Sequence, residues 1–223
     1  ELFGKYGSKL CSEYIAWDTQ RKESPVHRAI NQDRTEIALF LLGIRKHQVS
    51  NMVKHPDFRG ETPLHRCGWC GRASVAKKLI KLGAKVNSTN ALGLTPLHLA
   101  CLNGHLDVVS LFLTGTDDWE SYNDVDIEDE FGRTPLHAAA SSSNIKICQL
   151  LLKSGADLKK VDEDGRTALI WIVNQCHPKQ GDGLILQCLQ QFWKWWDLDS
   201  SGPENDHQDE TGKNVLHYAC YHG

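Results

Sequence analysis

The sequence predicts an all-α array of stacked helix-turn-helix units, and three observations carry that reading. The tetrapeptide Thr-Pro-Leu-His recurs outright at 62–65, 95–98 and 134–137, with degenerate copies at 24–27, 167–170 and 214–217. Successive copies start 38, 33, 39, 33 and 47 residues apart, so one 33-residue unit repeats with insertions of 5, 6 and 14 residues. A fixed period of this size marks a repeat architecture. Finally, the residues after the tetrapeptide in a full unit carry two short apolar stripes at i, i+3, i+4 spacing, neither long enough to bury its face alone. Stacking the copies buries both.

Each unit opens with a turn. A Gly stands two residues before the tetrapeptide in five of the six copies (Gly60, Gly93, Gly132, Gly165, Gly212), and four of these follow an Asp by three (Asp57, Asp129, Asp162, Asp209). In Asp-x-x-Gly the Asp bonds its own backbone and the Gly takes positive φ; Asn90 holds the corresponding place in the remaining copy. The tetrapeptide then starts a helix: Thr offers an N-cap oxygen, Pro fits the first turn, and Leu begins the apolar face. The third copy runs on through Leu97–Cys101, breaks at Gly104-His105 and resumes as a second helix with Val108, Val109, Phe112 and Leu113 apolar.

Composition narrows the function. Lys+Arg 25 against Asp+Glu 28 gives a net charge of -3, which offers no polybasic handle for nucleic acid or a membrane surface. No apolar run approaches the roughly 18 residues of a spanning helix. The eight cysteines (Cys11, Cys67, Cys70, Cys101, Cys148, Cys176, Cys188, Cys220) are too dilute for a secreted disulfide scaffold, and most lie in helical patterns. A reducing compartment, cytoplasmic or nuclear, is expected. With no initiator Met and an abrupt stop at His222-Gly223, the chain reads as a segment of a longer protein.

The pattern Asp-x-x-Gly-x-Thr-Pro-Leu-His, then Gly-His, then Leu-Leu, then Gly-Ala-Asp-Val-Asn resembles the ankyrin-repeat family; the last element appears as Gly83-Ala84-Lys85-Val86-Asn87 and Gly155-Ala156-Asp157-Leu158-Lys159. The resemblance implies an ankyrin-repeat solenoid with β-hairpin tips over residues 19–223, five full repeats and a truncated sixth. Residues 1–18 fit no repeat register and are expected to form a helix capping the open end of the stack. In this family the tetrapeptide histidine, here His27, His65, His98, His137 and His217, bonds backbone and Thr groups that tie neighbouring repeats. The tips and the ends of the first helices line a concave face. That register places Arg59, Trp69, Cys70, Leu92, Leu94, Leu102, Asn103, Phe131, Arg133, Ser141 and Ser142 at partner-binding positions. An exposed Trp beside Leu, Phe and Arg has the composition of an interface hot spot; the competing reading folds Trp69 back onto the next repeat.

Other chemistry is weaker. Cys67-Gly68-Trp69-Cys70 has redox spacing, but both cysteines fall late in a short helix, whereas a reactive thiolate wants the helix N-terminus. His65, Cys67 and Cys70 supply three zinc ligands of four. Asp162-Glu163-Asp164-Gly165 lacks the ligand series of a calcium loop and reads as a turn. Neither cofactor, metal nor catalytic residue is expected. Cys67, Cys101, Cys148 and Cys220 are expected in the core, with Cys70 more reactive on the variable face.

The second insertion, 114–130, holds eight carboxylates and no Lys or Arg, and any partner of the segment at 117–130 is expected to be basic. In the third, Phe192, Trp193, Trp195 and Trp196 cannot all face inward from one helix; packing against a neighbouring repeat is favoured over binding. Two functions stay open. One is a monomeric protein-interaction module, an adaptor or regulatory arm, taking a protein segment on the concave face. The other is a ligand-sensing regulatory domain in which Trp69 stacks on a nucleotide-like ring and Arg59 or Arg133 takes its phosphate.

Overall fold

A computed structural model describes residues 18–43, 51–115, 124–175 and 208–222. Within them the chain is all-α, with ten helices of seven to nine residues. The pairings outside helices are two isolated antiparallel bridges, Asp18 with Glu23 and Val161 with Thr167. Residues 1–17 of the expected capping segment 1–18, residues 44–50 between the first two repeats, residues 116–123 of the acidic stretch and the aromatics 192–196 lie outside the described residues.

The chain divides into two compact units, Glu1–Asp124 and Val125–Gly223. The first holds three helix pairs: α1 (Pro25–Asn31) with α2 (Thr35–Leu41), α3 (Pro63–Cys70) with α4 (Ala73–Lys81), and α5 (Pro96–Leu102) with α6 (Leu106–Thr114). First helices pack on first helices, α1 on α3 and α3 on α5; second helices do the same, α2 on α4 and α4 on α6. The core lies between the two layers. Leu64, Cys67, Leu97, Ala100 and Cys101 come from one side, and Val75, Ala76, Leu79, Val108, Val109 and Phe112 from the other, all at 2% exposure or less. At about 1.5–3 kcal/mol per large apolar side chain, such a face outweighs anything a helix of seven residues gains by propensity.

The second unit repeats the scheme with α7 (Pro135–Ser141) on α8 (Ile145–Lys153), α7 on α9 (Ala168–Gln175), and α9 on α10 (Val215–His222). Its core is Leu136, Ala139, Ala140, Ile147, Cys148, Leu151, Ile170, Ile172 and Val173. Three of the four expected core cysteines are buried, but Cys220 is exposed. It sits on α10, which packs against α9 on one side, whereas Cys67 and Cys101 lie in helices flanked by a neighbouring first helix and their own second helix.

The helices start where the tetrapeptide predicts, with Pro at the first position and an extended Ser or Thr before it. The histidine at the third helical position does what Glu usually does in a capping box. His65 Nδ1 accepts from the Thr62 backbone N–H at 3.0 Å, and its Nε2 donates to the Leu94 carbonyl of the next repeat at 3.0 Å. His27 repeats this with Ser24 N–H at 3.2 Å and Glu61 O at 2.9 Å, and His137 with Thr134 N–H at 3.1 Å and Arg166 O at 3.1 Å. Because a backbone N–H can only donate and a carbonyl only accept, each ring is the neutral Nε2–H tautomer. The implied role of tying neighbouring repeats is therefore seen at atomic level for His27, His65 and His137.

One contact is tighter than the pattern requires. At the sixth position after the opening Ser or Thr, other copies carry Ile30, Cys101, Ala140 and Val173, but the second carries Gly68. A β-carbon there would lie 2.3 Å from the Pro96 carbonyl oxygen. The α3 and α5 backbones meet more closely than any side chain would permit.

Candidate partner-binding surface

Every tip is built by one residue accepting two bonds from the backbone ahead of it. Asp57 Oδ1 takes Arg59 N–H at 2.8 Å and Glu61 N–H at 2.9 Å; Asn90 Oδ1 takes Leu92 N–H at 2.9 Å and Leu94 N–H at 3.0 Å. Asp129, Asp162 and Asp209 do the same in the second unit. These side chains are Asp or Asn because only a short acceptor reaches its own turn, and Gly60, at φ 76, closes it in a region other residues avoid. Adjacent tips are then joined by a single main-chain bond: Phe58 N–H to Arg21 O and Ala91 N–H to Arg59 O in the first unit, Glu163 N–H to Phe131 O and Glu210 N–H to Asp164 O in the second.

The first unit holds Arg59 and Leu92 on tips joined by the Ala91–Arg59 bond, and the helix-end pairs Trp69-Cys70 and Leu102-Asn103. The latter stand seven and eight residues after their Thr on the directly packed helices α3 and α5. Trp69 is 47% exposed, Leu92 49% and Leu102 41%; Phe58 at 53% joins them on the tip, with the Arg59 guanidinium 5.2 Å from its ring centroid. Trp69 is therefore not folded into the next repeat. Cys70 is half-buried, and burial pushes its thiol up; the same cause raises the Cys67 thiol well up. A redox Cys-x-x-Cys needs the opposite shift. Leu94 is half-buried, with its carbonyl accepting from His65 and Asn90, and the Asn103 amide donates to Leu99 O at 2.9 Å.

The second unit holds Phe131, Arg133, Ser141 and Ser142. Phe131 is 47% exposed on its tip. Arg133, expected to be displayed, instead pairs with the buried Asp129 carboxylate at 2.8 Å and lies 4.7 Å from the Phe131 ring centroid. Its guanidinium finishes the turn rather than reaching for a phosphate. The hydroxyls of Ser141 and Ser142 donate to Ala138 O and Ala139 O, at 2.8 and 3.0 Å. The acidic stretch is also less open than expected where it is described: Glu128 pairs with Lys160, Asp126 accepts the Asp157 N–H at 3.1 Å, and Asp129 is buried in its tip.

A set of residues escaped the repeat reading. The second oxygen of the turn carboxylate takes a donor nine residues later: Arg66 to Asp57 at 2.9 Å, Trp171 to Asp162 at 2.8 Å, and the Tyr218 hydroxyl to Asp209 at 2.5 Å. Burial alone would raise the Asp57 and Asp209 carboxyls, but these partners and the turn N–H groups hold both below the usual carboxylate range. Where the turn residue is the neutral Asn90, the ninth position is Leu99. The signal was legible as a donor immediately after the tetrapeptide wherever the turn is Asp in these three copies.

Among the described residues no group of three His, Cys, Asp or Glu is placed to hold a metal ion. No described helix is long and apolar enough to cross a membrane.

A family model described as ankyrin repeats (three copies) matches residues 5–90, 85–162 and 121–185. Inversin of Canis lupus familiaris is 30% identical over 244 residues, covering 95% of this chain and 21% of inversin. Rabankyrin-5 of Mus musculus is 31% identical over 155 residues, covering 65% of this chain and 13% of that protein. Protein phosphatase 1 regulatory subunit 27 of Homo sapiens is 33% identical over 81 residues, covering 36% of this chain and 51% of the subunit. The chain thus spans about a fifth of the inversin length and about an eighth of Rabankyrin-5.

Proposed function

The chain belongs to the ankyrin-repeat family, and from that premise we propose that it is a protein-protein interaction module, an adaptor or regulatory arm of a larger protein, without catalysis of its own. Ankyrin repeats generally mediate protein-protein interaction, and one relative's name is that of a phosphatase regulatory subunit. The module is a cytoplasmic or nuclear monomer of five repeats and a partial sixth, capped by residues 1–18. It binds a protein segment through the tips and first-helix ends, with Trp69, Leu102, Leu92 and Arg59 at the centre and Phe131 as a separate contact on the second unit.

One observation carries this reading. Four of the five exposed large apolar residues described in the first unit are ordered: Trp69 and Leu102 hold the same repeat position on packed helices, and Phe58 and Leu92 sit on adjoining tips, while Leu106 begins α6. Such side chains supply no core energy, and an ordered apolar set rimmed by polar groups marks an interaction site.

Affinity capture with this chain, wild type against Trp69→Ala, tests it. Retention of bound proteins drops about tenfold or more in the variant, as expected for a central Trp, while the melting temperature stays within a degree or two. Unfolding of Trp69→Ala, or undiminished capture, overturns the assignment.

A further inference from the structure

We infer that His105 is a positioning residue for Trp69, holding the last turn of α3 from the neighbouring repeat. The inference rests on Trp69 being the binding anchor.

His105 is the residue that precedes α6, and its side chain makes no capping bond to that helix. It reaches back across the repeat boundary instead. Its Nε2 donates to the main-chain carbonyl of Trp69 at 2.9 Å. That carbonyl is one of the last four of α3, which have no partner inside the helix. The imidazole is admitted because the next residue but one is Gly71, at φ 72: a β-carbon there would lie 2.6 Å from Nδ1 and 2.8 Å from Cε1 of the ring. Gly71 and His105 therefore form one device, a vacant face and the ring that fills it.

The same repeat position works differently at the previous boundary. There Arg72, ten residues after Thr62 as His105 is ten after Thr95, reaches back to the Asp33 side chain at 2.7 Å. That contact is side chain to side chain and does not involve Asn31, which stands seven residues after Ser24 as Trp69 does after Thr62. Only at the second boundary, of these two, does the position grip the backbone of a displayed residue. A helix end of this length otherwise frays, and fraying at 69–71 would cost the anchor its fixed direction. Preorganisation of that kind raises affinity by removing the ordering cost at binding.

The test uses the whole 223-residue chain labelled with 5-fluorotryptophan, the Trp69 resonance among the seven tryptophans being assigned by its loss in Trp69→Phe. His105→Ala shifts or broadens that resonance and raises the alkylation rate of the half-buried Cys70 roughly tenfold, as local opening without global unfolding does. His105→Gln, whose amide N–H occupies the place of Nε2–H, restores both. In the wild type, the His105 ring is the Nε2–H tautomer with slow exchange of that proton. An unmoved Trp69 resonance in His105→Ala, or an Nδ1–H tautomer in the wild type, overturns the inference even if the alanine variant folds poorly. In the capture assay, the proteins lost with Trp69→Ala are also reduced with His105→Ala and recovered with His105→Gln. If they are retained by His105→Ala while the resonance moves, the positioning role is refuted. If Trp69→Ala loses nothing, the binding reading itself falls, whatever the fluorine spectrum shows.

Discussion

Lowering the pH should unfold this protein through the tetrapeptide histidines. His27 and His65 are buried, and burial brings their imidazoles down from 6.5 to about 4. The geometry supplies the reason: Nδ1 faces a backbone N–H, so a proton placed on it sets donor against donor. The folded state holds these rings neutral while the unfolded state protonates them, so stability is complete above about 6.5 and is lost as pH falls toward 4. With one pKa unit worth about 1.4 kcal/mol, each ring costs roughly 2 kcal/mol at pH 5 and about 3 kcal/mol below pH 4. Two rings remove about 4 kcal/mol at pH 5, a large share of the 5–15 kcal/mol of an ordinary domain. With a urea dependence of about 2 kcal/mol per molar, the midpoint falls by about 2 M between pH 7.5 and 5. Glu61 works against this, because burial raises its carboxyl and its protonation in the folded state then favours folding; Asp57, whose carboxyl is lowered, adds its loss only at more acidic pH. Urea titrations followed by circular dichroism measure the slope. The double variant His27→Gln, His65→Gln starts lower at pH 7.5 and has a clearly shallower slope down to pH 5, the remainder coming from His137, whose imidazole is also brought down by burial. A flat wild type, or a double variant with the wild-type slope, refutes the reasoning.

Gly68→Ala forces α3 away from α5 at the 2.3 Å contact with Pro96 O, and calorimetry should record a loss of about 1–3 kcal/mol, the usual cost of overpacking. Trp171→Phe keeps an aromatic ring but removes the donor to Asp162; leaving that buried carboxylate one bond short should lower the unfolding free energy from denaturant titration by about 1–2 kcal/mol. Native alkylation followed by peptide mapping should modify Cys220 and Cys70 before Cys67, Cys101 and Cys148, and early labelling of Cys101 would contradict the packing described.

The repeat frame was legible because its signals are local. Asp or Asn three residues before Gly, then Thr-Pro-Leu-His, is turn chemistry followed by helix-start chemistry, and each group satisfies backbone within a few residues of itself. What the frame did not reveal depends on what a side chain meets elsewhere. Arg133 occupies a display position, yet a carboxylate four residues behind it was already buried and needed a partner. Ser141 and Ser142 are polar letters at a variable position whose hydroxyls turn back to their own helix. Cys220 shares the register of buried residues but lies on a helix covered less than its counterparts. Trp69 is exposed, and the His105 contact behind it is not legible in the sequence, since nothing in Gly104-His105 says which repeat the ring will face.

The main-chain joint between neighbouring tips is one N–H and one carbonyl, reinforced by the tetrapeptide histidines and, in the first unit, by the Asn90 amide donating to Glu61 at 3.5 Å. Side chains such as Phe58, Leu92 and Glu163 are thereby released from any duty in holding the array, so recognition can be rewritten letter by letter during evolution while stacking is inherited unchanged. A joint one rung wide also offers no continuous strand for a foreign chain to extend, so the tips of each unit can be read by a partner without the hazard of templating fibrils.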